Sequence, residues 1–232
     1  MMRNLSIRAQ EEEQMDAADL SPADYAKVLA GLSRVNIATL AMRPTLDFLA
    51  RAGAAGTPFR LLDVGYGDGG MLRAIWRWSQ RHGAPCTLVG IDLNPKSEAV
   101  AKAYHPTGAT IDYRTGDYQA LAAEPWDFIV SSLVTHHMDN AQRHDFLAFQ
   151  EQHAQRGWFV NDLHRHAFAY HGFPLLARLL GVHRIVRQDG QLSIARSFRP
   201  PEWEAMLQEA GLSGIAQVRR IFPFRLCVER RR

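Results

Sequence analysis

A short apolar stretch that ends in a cluster of glycines constrains this chain most. Residues 59–64 have the pattern of a buried strand, and an apolar helical pattern begins directly after Gly65, Gly67, Gly69 and Gly70. Glycines permit a tight turn from strand to helix, and the first amides of the helix attract negative groups. A strand, a glycine loop and a helix in this order predict an α/β domain that binds a ligand at the loop.

Strand-like and helical stretches alternate after this loop. Further strands are predicted at residues 86–92, 109–113, 128–133 and 158–160, and two last strands at 215–222 and 224–228. Alternation of this kind is typical of a parallel sheet with helices on both faces. The predicted fold class is therefore α/β, with a seven-stranded, mostly parallel sheet.

Two segments depart from this alternation. Residues 1–56 are predicted to be an N-terminal helical segment that precedes the main domain of residues 57–232. Within the main domain, residues 165–198 break the pattern, with an apolar helical piece at 173–180 and a turn at 188–191. We expect this stretch to be an inserted helical cap that covers the substrate.

The composition excludes several classes of protein. Of the 232 residues, 47% are hydrophobic, which excludes a mainly disordered chain. The net charge of only +3 argues against a nucleic-acid partner. The two cysteines cannot form a disulfide scaffold, and no apolar run reaches the ~18 residues of a membrane span. We therefore expect a cytoplasmic protein without a membrane-spanning segment.

Two aspartates set the charge of the glycine loop. Asp63 lies two residues before the first glycine and Asp68 lies inside the loop. Both carboxylates would repel the pyrophosphate of a dinucleotide, which argues against an NAD-dependent oxidoreductase although G-x-G-x-x-G is present. They suit a cationic ligand such as S-adenosylmethionine, which carries a sulfonium and an ammonium group. Asp92 ends the next strand, where an acid can bind ribose hydroxyls.

Four motifs in register resemble those of class I S-adenosylmethionine-dependent methyltransferases. They are the Asp-x-Gly-x-Gly-x-Gly loop from Asp63, the acid Asp92, the turn Gly116-Asp117-Tyr118 and the strand from Trp126. The resemblance implies a Rossmann-like fold that binds S-adenosylmethionine, with Tyr66 standing where a small residue or Cys is commoner. The cofactor-binding residues that it implies are Asp63, Gly65, Tyr66, Gly67, Gly69, Asp92, Leu93, Asp117, Tyr118 and Ser132.

A narrower resemblance concerns the acceptor. Residues 132–137 and 161–165 are similar to segments of small bacterial methyltransferases that act on aromatic or polyketide natural products. This similarity implies a small aromatic or polyketide-like acceptor. We expect O-methylation of a phenolic hydroxyl of such an acceptor, by a monomer or homodimer. The alternatives are C-methylation of an electron-rich ring or quinone precursor, and a protein that binds S-adenosylmethionine without methyl transfer.

Histidines cluster where the substrate is expected. His136 and His137 follow the fourth strand, and a neutral imidazole is a suitable base for a phenol. Adjacent residues of an extended chain point to opposite sides, so we expect only one of the two to face the substrate, with His137 favoured. Asp162, after the fifth strand, is the third predicted catalytic residue.

The predicted substrate contacts lie at the end of the fifth strand and in the cap. They are His164, His166, Tyr170 and Phe173. No compact metal-binding spacing such as HExxH is present, and no metal is predicted.

Overall fold

Seven strands form one sheet within residues 3–17 and 19–232, which the computed structural model describes. The strands are β1 (Phe59–Val64), β2 (Cys86–Asp92), β3 (Ile111–Thr115), β4 (Trp126–Ser132), β5 (Ala154–Leu163), β6 (Gln217–Ile221) and β7 (Arg225–Arg231). Their order in the sheet is β3-β2-β1-β4-β5-β7-β6. The pairs from β3 through β5 are parallel, and β7 is antiparallel to both β5 and β6. The predicted fold class is confirmed.

Helices cover both faces of the sheet, as parallel pairing requires. They are α1 (Pro22–Ala38), α2 (Arg43–Arg51), α3 (Gly70–Arg81), α4 (Pro95–Ala103), α5 (Asn140–His153), α6 (Ala167–Leu179), α7 (Arg184–Arg196) and α8 (Pro200–Glu209). None of the helices in the described part of the chain has both the length and the apolar character needed to cross a bilayer.

The N-terminal helices pack on the domain through specific contacts. Ser21 caps α1 by accepting the Asp24 amide, with Pro22 in the first turn. Phe48 of α2 stacks on Phe159 of β5 with ring centroids 4.9 Å apart. The hydroxyl of Tyr25 in α1 lies 2.8 Å from the Ser97 hydroxyl in α4. A Cβ at Gly67 would lie 3.7 Å from Cδ2 of Leu29, so α1 also lies beside the glycine loop.

The cap consists of α6 and α7, and here one prediction is wrong. Residues 188–191, predicted to be a turn, lie inside α7. Gly190 suggested a turn, but a Cβ at this position would lie 2.2 Å from Cζ of Phe173. The glycine therefore provides space for close packing of α6 against α7.

The fifth strand is longer than its apolar centre suggests. It spans ten residues, so Asp162 lies inside β5 and not after it. The polar side chains Asn161 and Asp162 are both buried. Because β1, β2, β4 and β5 are parallel, their carboxyl ends meet at one edge of the sheet, where ligands of such sheets bind.

Candidate active site

The glycine loop follows β1 directly and turns at three glycines. Gly65, Gly67 and Gly69 have φ angles of +76°, +54° and +73°, a region in which other residues are strained. A Cβ at Gly65 would lie 2.4 Å from Cγ2 of Val134, in the segment after β4. This position therefore requires glycine both for the turn and for the close approach of that segment.

Asp63 is buried at the end of β1 with an unsatisfied carboxyl group. Neither of its oxygens has a hydrogen-bond partner among the described residues. Burial, together with the charges of Asp92 and Asp68, raises the pKa of Asp63 well above its ordinary value. A ligand ammonium group would supply both the missing hydrogen bonds and the missing charge. The acids of the loop therefore fit the amino-acid end of S-adenosylmethionine.

Asp92 is held at the same loop by two backbone amides. Its Oδ2 accepts from the Gly67 amide and its Oδ1 from the Asn94 amide, each at 2.9 Å. Each carboxylate oxygen has more than one lone pair, so the group can also accept from ligand hydroxyls. This placement agrees with the predicted role of Asp92 toward a ribose.

The other predicted cofactor residues differ in exposure. Leu93 and Asp117 are exposed, and Asp117 accepts the Gln119 amide at 2.8 Å. Ser132 ends β4 and is partly buried. The ring of Tyr118 packs edge-on against Phe149 of α5, with centroids 4.8 Å apart, so it contributes to the core.

Tyr66 is buried rather than open to a ligand. Its ring centroid lies 5.3 Å from that of Tyr113, and burial raises the pKa of the Tyr66 phenol well above its ordinary value. A Cβ at Gly90 of β2 would lie 2.6 Å from Cδ1 of Tyr66. Gly90 therefore makes room for the large residue at this position of the loop.

A cavity of about 490 Å³ lies beside the loop. Helix α1, the cap helices and the turn between β6 and β7 supply most of its lining, which is largely apolar. Leu133 lines the cavity, while the next residue, Val134, packs against Gly65. The cavity and the glycine loop therefore share the segment after β4 as a common wall.

His136 and Asp162 form a buried pair at the edge of this cavity. Nδ1 of His136 lies 2.7 Å from Oδ1 of Asp162, and the His136 amide donates to Oδ2 at 3.0 Å. Burial disfavours the charged ring, but Asp162 and Glu13 outweigh it and raise the pKa of His136 to about 9. Burial likewise opposes ionisation of Asp162, but His136 lowers its pKa to about 2. His136 is therefore an imidazolium at neutral pH.

Glu13 completes this cluster from the N-terminal segment. It is buried, and its Oε1 lies 3.6 Å from Nε2 of His136 and accepts the Ser193 hydroxyl at 2.9 Å. Burial opposes ionisation of Glu13, yet the hydrogen bond and charge of His136 lower its pKa. Sequence reasoning missed Glu13, because it is one of three consecutive glutamates in a polar segment and no local pattern distinguishes it from its neighbours.

Backbone contacts along α7 hold Glu13 in place. The Ala9 amide donates to the Ala195 carbonyl at 3.0 Å, and the Met15 amide donates to Asp189 at 2.9 Å. Arg8 donates to the His136 carbonyl at 2.6 Å. The N-terminal segment thus crosses from the histidines to the cap, and Asp189 and Ser193 of α7 join the lining of the cavity.

His137 lies beside this cluster and is more accessible. Its Nε2 lies 3.9 Å from Oε2 of Glu13, and 28% of its side chain is exposed, against 2% for His136. Both histidines line the cavity, with ring centroids 4.2 Å apart. The segment after β4 turns at these residues and is not extended, so both side chains reach the cavity. That only one of them faces the substrate stays a prediction.

The four predicted substrate residues divide into two pairs. His164 and Phe173 line the cavity. Tyr170 instead packs near Leu5 and Ala9 of the N-terminal segment. His166 caps α6 by accepting the Phe168 amide, and its ring stacks on Phe224 at 5.1 Å. Of these four residues, His164 and Phe173 lie at the cavity and Tyr170 and His166 do not, and contact with a substrate stays a prediction.

Backbone strain is concentrated around the cavity. In the described part of the chain, the non-glycine residues with positive φ are Leu40, Leu133 and Phe224, at +52°, +63° and +51°. All three line the cavity. Such conformations cost ~1–3 kcal/mol each and cluster at functional sites. Strain of this kind supports the assignment of the cavity as the site of function.

The histidine cluster also has donor atoms that a metal accepts. One atom each of Glu13, His136 and His137 lie within 4.8 Å of one another. Two imidazoles and a carboxylate suit divalent transition metals, but at neutral pH the proton on Nε2 of His136 competes with any metal.

The chain is similar to known methyltransferases in sequence pattern and in fold. A family model described as a methyltransferase domain matches residues 36–217. Among curated proteins, no sequence matches the chain significantly.

Solved structures show the same fold at low sequence identity. Magnesium protoporphyrin IX methyltransferase from Synechocystis PCC 6803, with bound S-adenosylhomocysteine, is 14% identical with a TM-score of 0.55, over 94% of this chain and 91% of that chain. The plantazolicin methyltransferase BpumL, with a triazolic desmethylPZN analog and S-adenosylhomocysteine, is 14% identical with a TM-score of 0.57, over 89% of this chain and 97% of that one. Human N-acetylserotonin methyltransferase with S-adenosylmethionine is 14% identical with a TM-score of 0.63, over 91% of this chain and 56% of the other.

Proposed function

The chain belongs to the methyltransferase domain family and uses S-adenosylmethionine, and on this premise we propose that it methylates a phenolic hydroxyl of a small aromatic, polyketide-like acceptor. One observation carries the proposal: an imidazole–carboxylate cluster borders a largely apolar cavity that shares a wall with the glycine loop. The apolar walls suit an aromatic ring, and the cluster suits a hydroxyl that must lose its proton.

The glycine loop would hold the methyl donor. When bound, S-adenosylmethionine supplies an electrophilic methyl group on a sulfonium centre. Asp63 would pair with the ammonium group and Asp92 would accept from the ribose hydroxyls. Asp117 and Leu93, exposed after β3 and β2, would contact the adenine ring.

His137 would be the general base. The phenol hydroxyl would give its proton to Nε2 of His137, and the phenol oxygen would form a bond to the methyl carbon while the methyl–sulfur bond breaks and S-adenosylhomocysteine leaves. His136 is unsuited to this role because the Asp162–His136 pair keeps it protonated at neutral pH. Glu13, 3.9 Å from His137, would stabilise the imidazolium that forms.

The nature of the acceptor is supported by the cavity and by the neighbours. The cavity volume of about 490 Å³ lies in the range of drug-sized ligands. Two of the neighbours are named for small-molecule acceptors, magnesium protoporphyrin IX and N-acetylserotonin.

Turnover with a panel of phenols tests this proposal. The enzyme is incubated with S-adenosylmethionine, and S-adenosylhomocysteine formation and product mass are measured. His137→Gln should lower kcat by ~10²–10⁴-fold for phenols of ordinary acidity, because they then lack a base. The loss should be much smaller for acidic nitrophenols, which ionise unaided.

The control variant is His144→Gln, an exposed position on α5, which should keep full activity. An O-methyl product loses the ultraviolet shift of a phenol in alkali, whereas a C-methyl product keeps it. Equal turnover by wild type and His137→Gln on all phenols would contradict the role of His137 as the base.

A further inference from the structure

Around the cavity, the usual distribution of charged and apolar side chains in a globular protein is reversed. Glu13 and His136 are two of the ionisable side chains that line the cavity, and both are buried. Three apolar side chains that line the same cavity reach solvent: Leu40, Phe168 and Phe222 are 48%, 72% and 80% exposed. Globular proteins normally bury large apolar groups and expose charged ones. Charged groups inside and apolar groups at the opening therefore require a functional reason.

The opening is apolar even at a position where turns are usually polar. The turn between β6 and β7 is Phe222-Pro223-Phe224, whereas Gly, Asn, Asp and Ser are the usual residues of such turns. The Phe168 ring, in the first turn of α6, stacks on Phe224 with centroids 5.7 Å apart. We refer to Leu40, Phe168, Phe222 and Phe224 as the apolar rim.

Helix α6 extends this surface away from the opening. Phe168, Leu175 and Leu179 are exposed and are spaced so that they lie on one face of the helix. Apolar side chains therefore extend from the cavity wall and the rim along the outer face of the cap, with His171 and Gly172 between Phe168 and Leu175. A single extended apolar group could contact all of these apolar side chains.

We infer that the acceptor is an amphiphile, a phenol whose ring reaches the buried histidines and whose alkyl chain leaves the cavity across the apolar rim. This inference rests on the proposed function for its polar head group. The alkyl chain of an acceptor fits the apolar rim better than a second copy of the protein or a lipid surface does, because the same side chains that are exposed at the rim also line the cavity.

The length of the alkyl chain provides the first test. Phenols with straight chains of increasing length are titrated into the protein with S-adenosylhomocysteine present, and their kcat/KM is measured with S-adenosylmethionine. Both affinity and kcat/KM should rise by about two- to fourfold per methylene while the chain crosses the rim, and then level off.

Rim variants provide the second test. Phe168→Ser and Phe222→Ser, alone and together, should remove most of the gain in affinity and kcat/KM that each added methylene gives for long alkyl chains. Ile7→Ser is the matched control, because Ile7 is equally exposed and does not line the cavity. It should behave as wild type for every chain length.

The outcomes separate this inference from the proposed function. Binding that depends on chain length without any turnover would support the amphiphile and overturn the proposed methylation of phenols. Turnover that is independent of chain length would overturn the amphiphile alone. Sedimentation with phosphatidylcholine vesicles that requires Phe168, Phe222 and Leu179, without dependence on chain length, would assign the rim to a lipid surface and also overturn it.

Discussion

Two buried aspartates lie near the carboxyl ends of β1 and β5 in the same sheet, and their pKa values are shifted in opposite directions. Asp63 on β1 has no hydrogen-bond partner among the residues described, and its pKa is raised far above normal. Asp162 on β5 accepts from Thr135, His136 and Leu163, and its pKa falls to about 2. Both aspartates are buried, so the presence or absence of hydrogen-bond partners decides the direction of the pKa shift. The first site is prepared for a charge that arrives with a ligand, and the second is satisfied within the protein.

The backbone differs between the two regions in a parallel way. Near Asp63, positive φ angles belong to glycines, which adopt them without strain. Around the cavity, Leu40, Leu133 and Phe224 take up similar angles. Glycines adopt the loop conformation without strain, whereas the surrounding structure has to hold the three strained residues of the cavity in theirs.

Replacing Asp162, the aspartate that pairs with His136, should have the largest effect on stability. Asp162→Asn leaves the His136 imidazolium buried without its main counter-charge. We expect the free energy of unfolding to fall by ~3–5 kcal/mol, as for other broken buried pairs. Urea denaturation at pH 7 measures it, with Asp139→Ala, at an exposed helix cap, as a control that should cost about 1 kcal/mol. A loss no greater than that of the control would refute the importance of the pair.

The same pair should make stability depend on pH above neutrality. The folded pKa of His136 is raised from 6.5 to about 9, so its stabilising contribution is complete below pH 6.5 and is lost as the pH rises through 9. The free energy of unfolding should fall by about 3 kcal/mol over this window. Asp162 contributes nothing here, because its lowered pKa acts only as the pH falls toward 2.

The contribution of Asp63 to this pH dependence has to be excluded, because its raised pKa also makes the free energy of unfolding fall as the pH rises. The comparison is therefore between Asp63→Asn and the double variant Asp63→Asn/His136→Gln. Only the first should keep the slope between pH 6.5 and 9. Equal slopes would show that His136 is not charged in the folded protein.

Replacing Asp63, the aspartate without hydrogen-bond partners among the described residues, should weaken ligand binding without loss of stability. Asp63→Asn should unfold with an unchanged or higher free energy at pH 7, because the buried carboxyl group has no partner to lose. Its affinity for S-adenosylhomocysteine should fall at least ~10-fold, since the ligand ammonium loses its counter-charge. Calorimetric titration and urea denaturation on the same sample check both signs. A variant that is less stable but binds normally would reverse the assignment.

The smallest effect concerns the strained backbone. Leu40→Gly should raise the free energy of unfolding by up to about 1 kcal/mol, because glycine takes positive φ without strain. Ile37→Gly is the matched control: it is also exposed but lies within α1, and it should cost about 1 kcal/mol. If both variants lose stability equally, the positive φ of Leu40 stores no strain.

The fold and the cofactor loop could be predicted because their signals are local. Alternating apolar stretches specify strands and helices, and the residues from Asp63 to Gly70 are consecutive, so their spacing alone defines the loop. Local signals also failed where packing decides the outcome. Gly190 looked like a turn residue and proved to be a contact point between two helices.

The acceptor side is assembled from distant segments. Glu13 meets His136 across more than 120 positions of sequence, and the apolar rim combines the end of α1, the start of α6 and the β6–β7 turn. The sequence by itself determined the α/β class, the glycine loop and the pair of histidines after β4. Only the tertiary structure decided that His136 is charged, that Glu13 joins it and that apolar side chains surround the opening. The reason is physical: the charge of a buried group and the exposure of an apolar one depend on neighbours that only folding brings together.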